Sequence, residues 1–343
     1  MRIAIVNDLA LAVEALRRVI GQRRDHSIAW TAANGEEAVK RCAQDPPDLV
    51  LMDLLMPGIG GVEATRRIMA ASPCPILIVT ASVGGNAPLV FEAMGYGAMD
   101  ATDVPALGLG EDGGGNGGGR ELLAKIDLIA RLIGDTPAQR AVNPQPRRGN
   151  ARRLVAIGAS AGGPAALSEL LSGLPANFPA ALVIVQHIDE KFALSMADWL
   201  NRFSANPVRV AAQGERPTAG TVLLAGTNEH LVLEPDGTLG YTREPVEQPY
   251  RPSVDVFFES ANRAWTGEIV GVLLTGMGRD GAKGLETLRR SGHHTIAQDQ
   301  ASSAVYGMPK AAVERGAAVD VLPLNRIAAK LRELFADHRS VSP

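Results

Sequence analysis

Leu154-Val155-Ala156-Ile157-Gly158-Ala159-Ser160-Ala161-Gly162-Gly163-Pro164 is an apolar β-type run closed by a glycine, then a serine, a glycine pair and a proline that opens a helical pattern. The spacing predicts a strand-to-helix turn with Ser160 on the bend. From such a bend a hydroxyl projects and the following backbone N–H groups converge on one point. That suits a nucleophile attacking a carbonyl whose oxygen becomes negative. A Gly-rich turn that cradles a phosphate, or a plain turn, fits the same residues. The rest of the chain must decide between these three readings.

The chain of 343 residues suggests about two domains with a large core. Its 46% hydrophobic and 21% charged residues are ordinary for soluble globular proteins, and a net charge of −3 gives no reason to expect nucleic acid or an anionic membrane as partner. The two cysteines, Cys42 and Cys74, exclude a disulfide framework and fit a reducing compartment; no zinc pattern is present. The opening Met1-Arg2-Ile3-Ala4-Ile5-Val6-Asn7-Asp8 is too soon interrupted by polar residues for a signal peptide, and no apolar run approaches the roughly 18 residues of a membrane span. The expectation is a cytoplasmic protein without membrane insertion.

Residues 2 to 103 repeat a short β-rich run, a polar loop and an amphipathic helix, the pattern of a doubly wound parallel sheet covered on both faces. Five strands are predicted, at Ile3–Val6, Ser27–Thr31, Leu49–Met52, Ile76–Val79 and Ala98–Thr102, with helices between them such as Leu9–Ile20. Ligands of such sheets bind beyond the carboxyl ends of the strands. There the first strand delivers Asn7-Asp8, the third Asp53 and the fourth Thr80. Carboxylates gathered at one edge repel unless a hard cation lies between them, and Mg2+ would also draw a phosphoryl donor onto Asp53. The plainer reading makes Asp8 a helix cap and Asp53 the start of a turn into Met56-Pro57-Gly58.

Asn7-Asp8, Leu51-Met52-Asp53 with Met56-Pro57, and Val79-Thr80-Ala81 together resemble the receiver domain of two-component response regulators, a flavodoxin-like fold, over residues 1–134. The resemblance implies Asp53 as phospho-acceptor, Asp8 and Asp53 as Mg2+ ligands, Thr80 as the hydroxyl that reports phosphorylation, and a histidine kinase as phosphoryl donor. Three positions depart from it. Asn7 replaces the first of an acidic pair, Ala101 an aromatic switch residue, and Val104 the lysine expected before Pro105. Loss of that ammonium should weaken the coupling between the phosphoryl group and the Thr80 loop.

Gly108–Gly119 is so rich in glycine that a loop is predicted, after which Glu121–Ile133 resumes a helical pattern with Leu122, Ile126, Ile129 and Ile133 on one face. Residues 135–152 carry prolines and arginines without apolar periodicity and read as a flexible linker, leaving 153–343 as a second domain. Strands are predicted there at Leu154–Ile157, Ala181–Val185, Thr221–Leu224, Leu231–Leu233 and Ile269–Leu274, with helices such as Ala165–Leu171, giving a second doubly wound α/β sheet.

A serine hydroxyl attacks at neutral pH only when a base takes its proton, and an imidazole base needs a carboxylate on its far nitrogen. His187, after Val185-Gln186, and Asp280, in Thr275-Gly276-Met277-Gly278-Arg279-Asp280-Gly281, both follow strand patterns and can meet Ser160 at one sheet edge. His230, His293 and His294 compete as bases, Asp189 and Asp255 as orienting acids, and Asp280 could simply cap the helix from Ala282.

The blocks Gly158–Pro164, Val185-Gln186-His187, Arg251-Pro252-Ser253-Val254-Asp255, Leu274–Gly281 and Tyr306-Gly307-Met308-Pro309, behind a receiver, resemble the CheB family of protein-glutamate methylesterases over nearly the whole chain. The opening Arg2–Asp8 and Asp255-Val256-Phe257-Phe258-Glu259-Ser260 are most similar to the members serving Wsp-type surface-sensing pathways. The resemblance implies a serine hydrolase with Ser160 as nucleophile, His187 as base, Asp280 as orienting acid, and the N–H of Met277 with a donor near Ala161 holding the oxyanion. It implies hydrolysis of glutamate γ-methyl esters on the cytoplasmic helices of methyl-accepting receptors, glutamine deamidation at the same site, and no cofactor in the esterase domain. Ala161 stands where chemotaxis members often carry threonine.

A linker of about 18 residues is long enough to let the receiver lie over the serine's sheet edge, and the resemblance implies inhibition relieved by phosphorylation. Two rival readings are a regulatory binding module without turnover, and a nucleotide site at Gly158–Gly163. The latter lacks its acidic residue, because the next strand runs into His187.

Overall fold

The computed structural model describes residues 1–105, 116–133 and 153–336, and the chain divides into two compact units, residues 1–136 and 137–343. The expected linker at 135–152 and most of the glycine run lie outside the described residues.

In the first unit, strands β1 (Arg2–Val6), β2 (Ser27–Ala32), β3 (Leu49–Met52), β4 (Ile76–Thr80) and β5 (Asp100–Asp103) alternate with helices α1 (Ala10–Ile20), α2 (Gly35–Gln44), α3 (Gly61–Ala71), α4 (Ala87–Gly95) and α5 (Asn116–Ile133). The sheet order is β2-β1-β3-β4-β5, all parallel. All residues of β3 and β4 are buried, as expected of strands covered on both faces. Ile3, Ile5, Leu51 and Leu77 pack with Leu16, Val19 and Ile20 of α1 and Leu122, Ile126 and Ile129 of α5. Helix α5 starts at Asn116, inside the run predicted to be loop. Each glycine there costs about 1 kcal/mol against alanine, but Gly119 is buried against Val19, where an added Cβ would come within 3.3 Å. Packing outweighs propensity. The chain leaves β1 on one side and β3 on the other, so the crevice at the switch point opens between Asp8 and Asp53.

The second unit runs β6 (Arg153–Ala159), α6 (Gly163–Ser172), β7 (Ala181–Gln186), α7 (Glu190–Asn201), β8 (Val208–Val210), β9 (Val222–Leu224), β10 (His230–Leu233), β11 (Leu239–Thr242), α8 (Val254–Ala264), β12 (Glu268–Leu273), α9 (Ala282–Arg290), β13 (His294–Gln298), α10 (Met308–Glu314), β14 (Asp320–Leu322) and α11 (Leu324–Phe335). Its seven-stranded parallel sheet has the order β14-β13-β12-β6-β7-β9-β8. Phe257 and Phe258 of α8 and Leu285 and Leu288 of α9 cover one face, against Leu154, Val183 and Ile269.

Leu231–Leu233 is a strand but does not join this sheet. It forms an antiparallel hairpin with β11 across Asp236-Gly237, and its Leu233 N–H donates to Ser260 Oγ of α8 at 3.0 Å. The Pro-Asp-Gly at 235–237 is the hairpin signal that sets it apart. Strands β8, β11, β13 and β14 were not foreseen. Among the described residues no helix is long and apolar enough to cross a membrane.

Candidate active site

Strand β6 lies between β7 and β12, and the chain departs from it in opposite directions, so the switch point of the larger sheet falls between the carboxyl ends of β6 and β12. Ser160 stands there, one residue beyond β6. Its N–H donates to the Thr275 carbonyl in the loop after β12 at 3.0 Å, and on the other side His187 N–H donates to the Ala159 carbonyl at 3.1 Å. The register pairs Ala159 with Gln186, which makes Ser160 and His187 the next pair along the two strands. Gly162 holds a φ of +80°, and a Cβ there would meet Ala304 at 2.6 Å, so the bend requires glycine. Ser160 is only 7% exposed.

His187 Nε2 lies 2.8 Å from Asp280 Oδ2. An ionised carboxylate only accepts, so Nε2 carries the proton and Nδ1 keeps its lone pair. Nδ1 is buried with no hydrogen-bond partner among the described residues. The ring is thus entered through the opposite nitrogen from triads in which Nδ1 faces the acid. Tyr250 stacks on it, with centroids 4.3 Å apart and planes 13° from parallel.

Asp280 does not cap α9, whose N-cap is Gly281; it accepts the first two N–H groups of α8, whose own N-cap is Ser253. Its Oδ2 also accepts from Val254 N–H at 2.6 Å, and its Oδ1 accepts from Ser253 Oγ at 2.8 Å and Asp255 N–H at 3.1 Å. Burial alone would raise the Asp280 carboxyl, but the His187 bond and charge and the N–H groups of Val254 and Asp255 outweigh it and hold it below the ordinary range. The positive end of α8 works in the same direction.

The competing residues have other partners. His230 is fully buried, receives the Ser253 N–H on Nδ1 at 3.1 Å and sets Nε2 3.2 Å from the Pro245 carbonyl; burial, above all, lowers its pKa. His293 Nδ1 accepts from Ile269 N–H at 3.4 Å, and His294 opens β13 with Nε2 2.8 Å from Asp320. Asp189 caps α7. Asp255 accepts from Gly284 N–H at 2.7 Å, and burial together with the Asp280 charge pushes its carboxyl up to about 7.

In the first unit Asp53 is buried at the carboxyl end of β3. Its Oδ1 accepts from Leu54 N–H at 2.7 Å and its Oδ2 from Asn7 Nδ2 at 3.1 Å. The Thr80 hydroxyl favours the ionised form of Asp53 and accepts from Asn86 Nδ2 at 3.2 Å. Burial first, then the Asp8 charge, raises the Asp53 carboxyl against the Leu54, Leu55 and Thr80 donors. Val104 packs on the core, and Ala101 is fully buried.

Sequence reasoning gave no role to Ser253, Tyr250, Gln186 or Asn86. Ser253 carried a legible signal, a serine directly before a helical pattern, since it caps α8.

A family model described as CheB methylesterase matches residues 155–331, and one described as response regulator receiver domain matches residues 3–103. A Burkholderia lata protein named protein-glutamate methylesterase/protein-glutamine glutaminase 2 is 61% identical over 332 residues, covering 96% of this chain and 97% of its own. A Pseudomonas putida protein, named protein-glutamate methylesterase/protein-glutamine glutaminase of group 3 operon, is 58% identical over 339 residues, 98% of this chain and 100% of its own. Among solved structures, the Thermotoga maritima CheB methylesterase catalytic domain matches with a TM-score of 0.52 and 36% identity over 54% of this chain and 100% of that one.

Proposed function

This chain belongs to the CheB methylesterase family, with a response regulator receiver domain ahead of the hydrolase domain, and from that premise we propose that it is a phosphorylation-regulated protein-glutamate methylesterase. Its substrates on this reading are glutamate γ-methyl esters on the cytoplasmic helices of methyl-accepting receptors, with glutamine deamidation at the same site. The observation that carries it is the 2.8 Å His187–Asp280 pair at the switch point where Ser160 follows β6.

Ser160 Oγ attacks the ester carbonyl carbon while its proton passes to His187 Nδ1. The carbonyl oxygen becomes an oxyanion facing the N–H groups of Ala161 and Met277, neither of which donates to a protein acceptor among the described residues. Collapse breaks the C–O bond to the methoxy group, which leaves as methanol with the proton from His187. Water then adds to the acyl-serine, again giving a proton to His187, and the glutamate carboxylate departs as Ser160 recovers its proton. Asp280 stabilises the imidazolium in both halves.

In the receiver the buried Asp53 and the exposed Asp8, two carboxylates close enough for their charges to interact, fit a hard cation with oxygen ligands. Among the described residues no three His, Cys, Asp or Glu side chains cluster to cage a metal, so Mg2+ would rest on these two carboxylates and water. When bound it screens the phosphoryl oxygens approaching Asp53. Asn7 orients the Asp53 carboxylate, and Thr80 waits beside it to bond the phosphoryl group.

Arg2–Asp8 and Asp255–Ser260 support service in a Wsp-type surface-sensing pathway. The test is methanol release from methylated receptor, using a surface-sensing and a flagellar chemotaxis receptor as substrates, with native protein and Ser160→Ala. Release by native protein, preferring the surface-sensing receptor and absent in the variant, is expected. Turnover surviving in Ser160→Ala overturns the mechanism, and release from neither receptor favours a binding module.

A further inference from the structure

Gln186, the last residue of β7, is fully buried. Its Nε2 donates to the Ser160 carbonyl at 2.9 Å and to the His187 carbonyl at 3.2 Å. The Ser160 carbonyl receives a second bond, from Gly163 N–H at 2.7 Å. The Ser160–Ala161 peptide is trans, so fixing its C=O fixes its N–H in the opposite direction. The facing loop repeats the device. There the Gly276 carbonyl accepts from Gly307 N–H at 3.0 Å and Met308 N–H at 2.8 Å, which turns the Met277 N–H to the other side. Both N–H groups assigned to the oxyanion therefore sit on peptides whose oxygens are held by two donors. Gln186 is the one side chain among those four donors.

The fit around its amide is close. A Cβ on Gly163 would come within 2.0 Å of Gln186 Oε1, so the turn has been shaped to admit the amide. Oε1 itself has no hydrogen-bond partner among the described residues. A leucine would fill similar volume without an unpaired buried oxygen. What the amide offers is its NH2 group.

We propose that Gln186 is a positioning residue of the oxyanion hole: it locks the Ser160–Ala161 peptide so that the Ala161 N–H faces the developing negative charge. This rests on the reading of Ser160 as nucleophile and Ala161 as oxyanion donor. Gln186 touches no reacting atom. Its effect passes through the peptide it holds, and through the His187 carbonyl that it ties to the same point.

The test uses full-length native protein, Gln186→Leu and Ser160→Ala, with a small carboxylic ester and the matching thionoester, in which C=S replaces C=O. Sulfur spreads the developing charge and accepts weaker hydrogen bonds, so the thionoester depends less on the oxyanion donors. Gln186→Leu is expected to lower kcat on the oxygen ester about 10- to 100-fold, short of or equal to full loss of one donor. KM should stay within about twofold, and the thionoester should lose several-fold less. A role in packing alone would lower both substrates equally, and an unchanged ester-to-thionoester ratio overturns the proposal. Should Gln186→Leu lose its cooperative melting transition, Gln186→Met repeats the comparison with a more adaptable side chain. Native protein inactive on both substrates refutes the esterase reading itself; native protein active, Ser160→Ala inactive and the ratio unchanged in Gln186→Leu refutes this inference alone.

Discussion

Four hydrogen bonds converge on the two oxygens of Asp280, from His187, Ser253, Val254 and Asp255. A carboxylate so held keeps its charge while buried, and it fixes the imidazole tautomer through Nε2. Ser253 is the only one of the four that can be removed without touching the proposed triad or the backbone. Ser253→Ala takes away one bond to a charged group, about 1.5 kcal/mol, which corresponds to roughly a tenfold loss in kcat. It also removes the N-cap of α8, about 1 kcal/mol, so the melting temperature of the hydrolase transition should drop by about 2–4 °C. Steady-state kinetics and a thermal melt of the same sample measure both, and unchanged kcat would show that Asp280 needs no help from this hydroxyl. Ser160, His187 and Asp280 were candidates from the sequence because each follows an apolar strand pattern and bears the right chemistry, and the family resemblance singled them out from the competing histidines and acids. Gln186 and Tyr250 were not, since a glutamine ending a strand and a tyrosine in a loop declare nothing until the neighbouring strand and ring are in place.

At the scale of elements, α8 and α9 begin side by side, and Asp255 bridges them by accepting the Gly284 N–H at 2.7 Å. Burial and the nearby Asp280 charge push its carboxyl up to about 7. A carboxyl raised in the folded state stabilises the fold while protonated, and that contribution fades as pH climbs from the ordinary carboxylate range through about 7. The hydrolase transition should therefore lose stability between about pH 4 and about pH 7, and Asp255→Asn, which keeps an acceptor for Gly284, should flatten that slope. Melting temperatures across this range decide it; parallel curves for native and variant would place the titration elsewhere. The same scale shows where sequence patterns ran out. Strands β6, β7 and β12 are long and apolar, hence visible. Strand β13 carries Thr295 and Gln298, buried because Thr295 Oγ1 donates to the Ala317 carbonyl and Gln298 Oε1 accepts the Thr275 N–H, so it shows no apolar run. Strands β8 and β14 are three-residue edges. Apolar content alone could not tell the hairpin strand β10 from a sheet strand.

For the whole molecule, the proposed input is phosphorylation of Asp53 and the proposed output is ester hydrolysis. Val104 offers no ammonium to the phosphoryl group, yet Thr80 stands between Asp53 and Asn86 and can still respond. Adding a small-molecule phosphoryl donor with Mg2+ to the full-length protein should raise methanol release about threefold or more, equivalent to a shift of under 1 kcal/mol between two states. Asp53→Asn should abolish the rise. Equal rates with and without the donor would mean that the substitutions at Asn7, Ala101 and Val104 have uncoupled input from output. The two units follow one placement rule, a proposed site at the switch point of a parallel sheet, and the residues proposed for each site come from a single unit. Asp8, Asp53 and Thr80 come from residues before 105, and Ser160, His187, Asp280 and their partners from residues after 153. Recombination between them can therefore give an old catalyst a new sensor, or an old sensor a new catalyst, without rebuilding either; lineages that multiply their signalling circuits need only shuffle these cassettes and refine what passes between them.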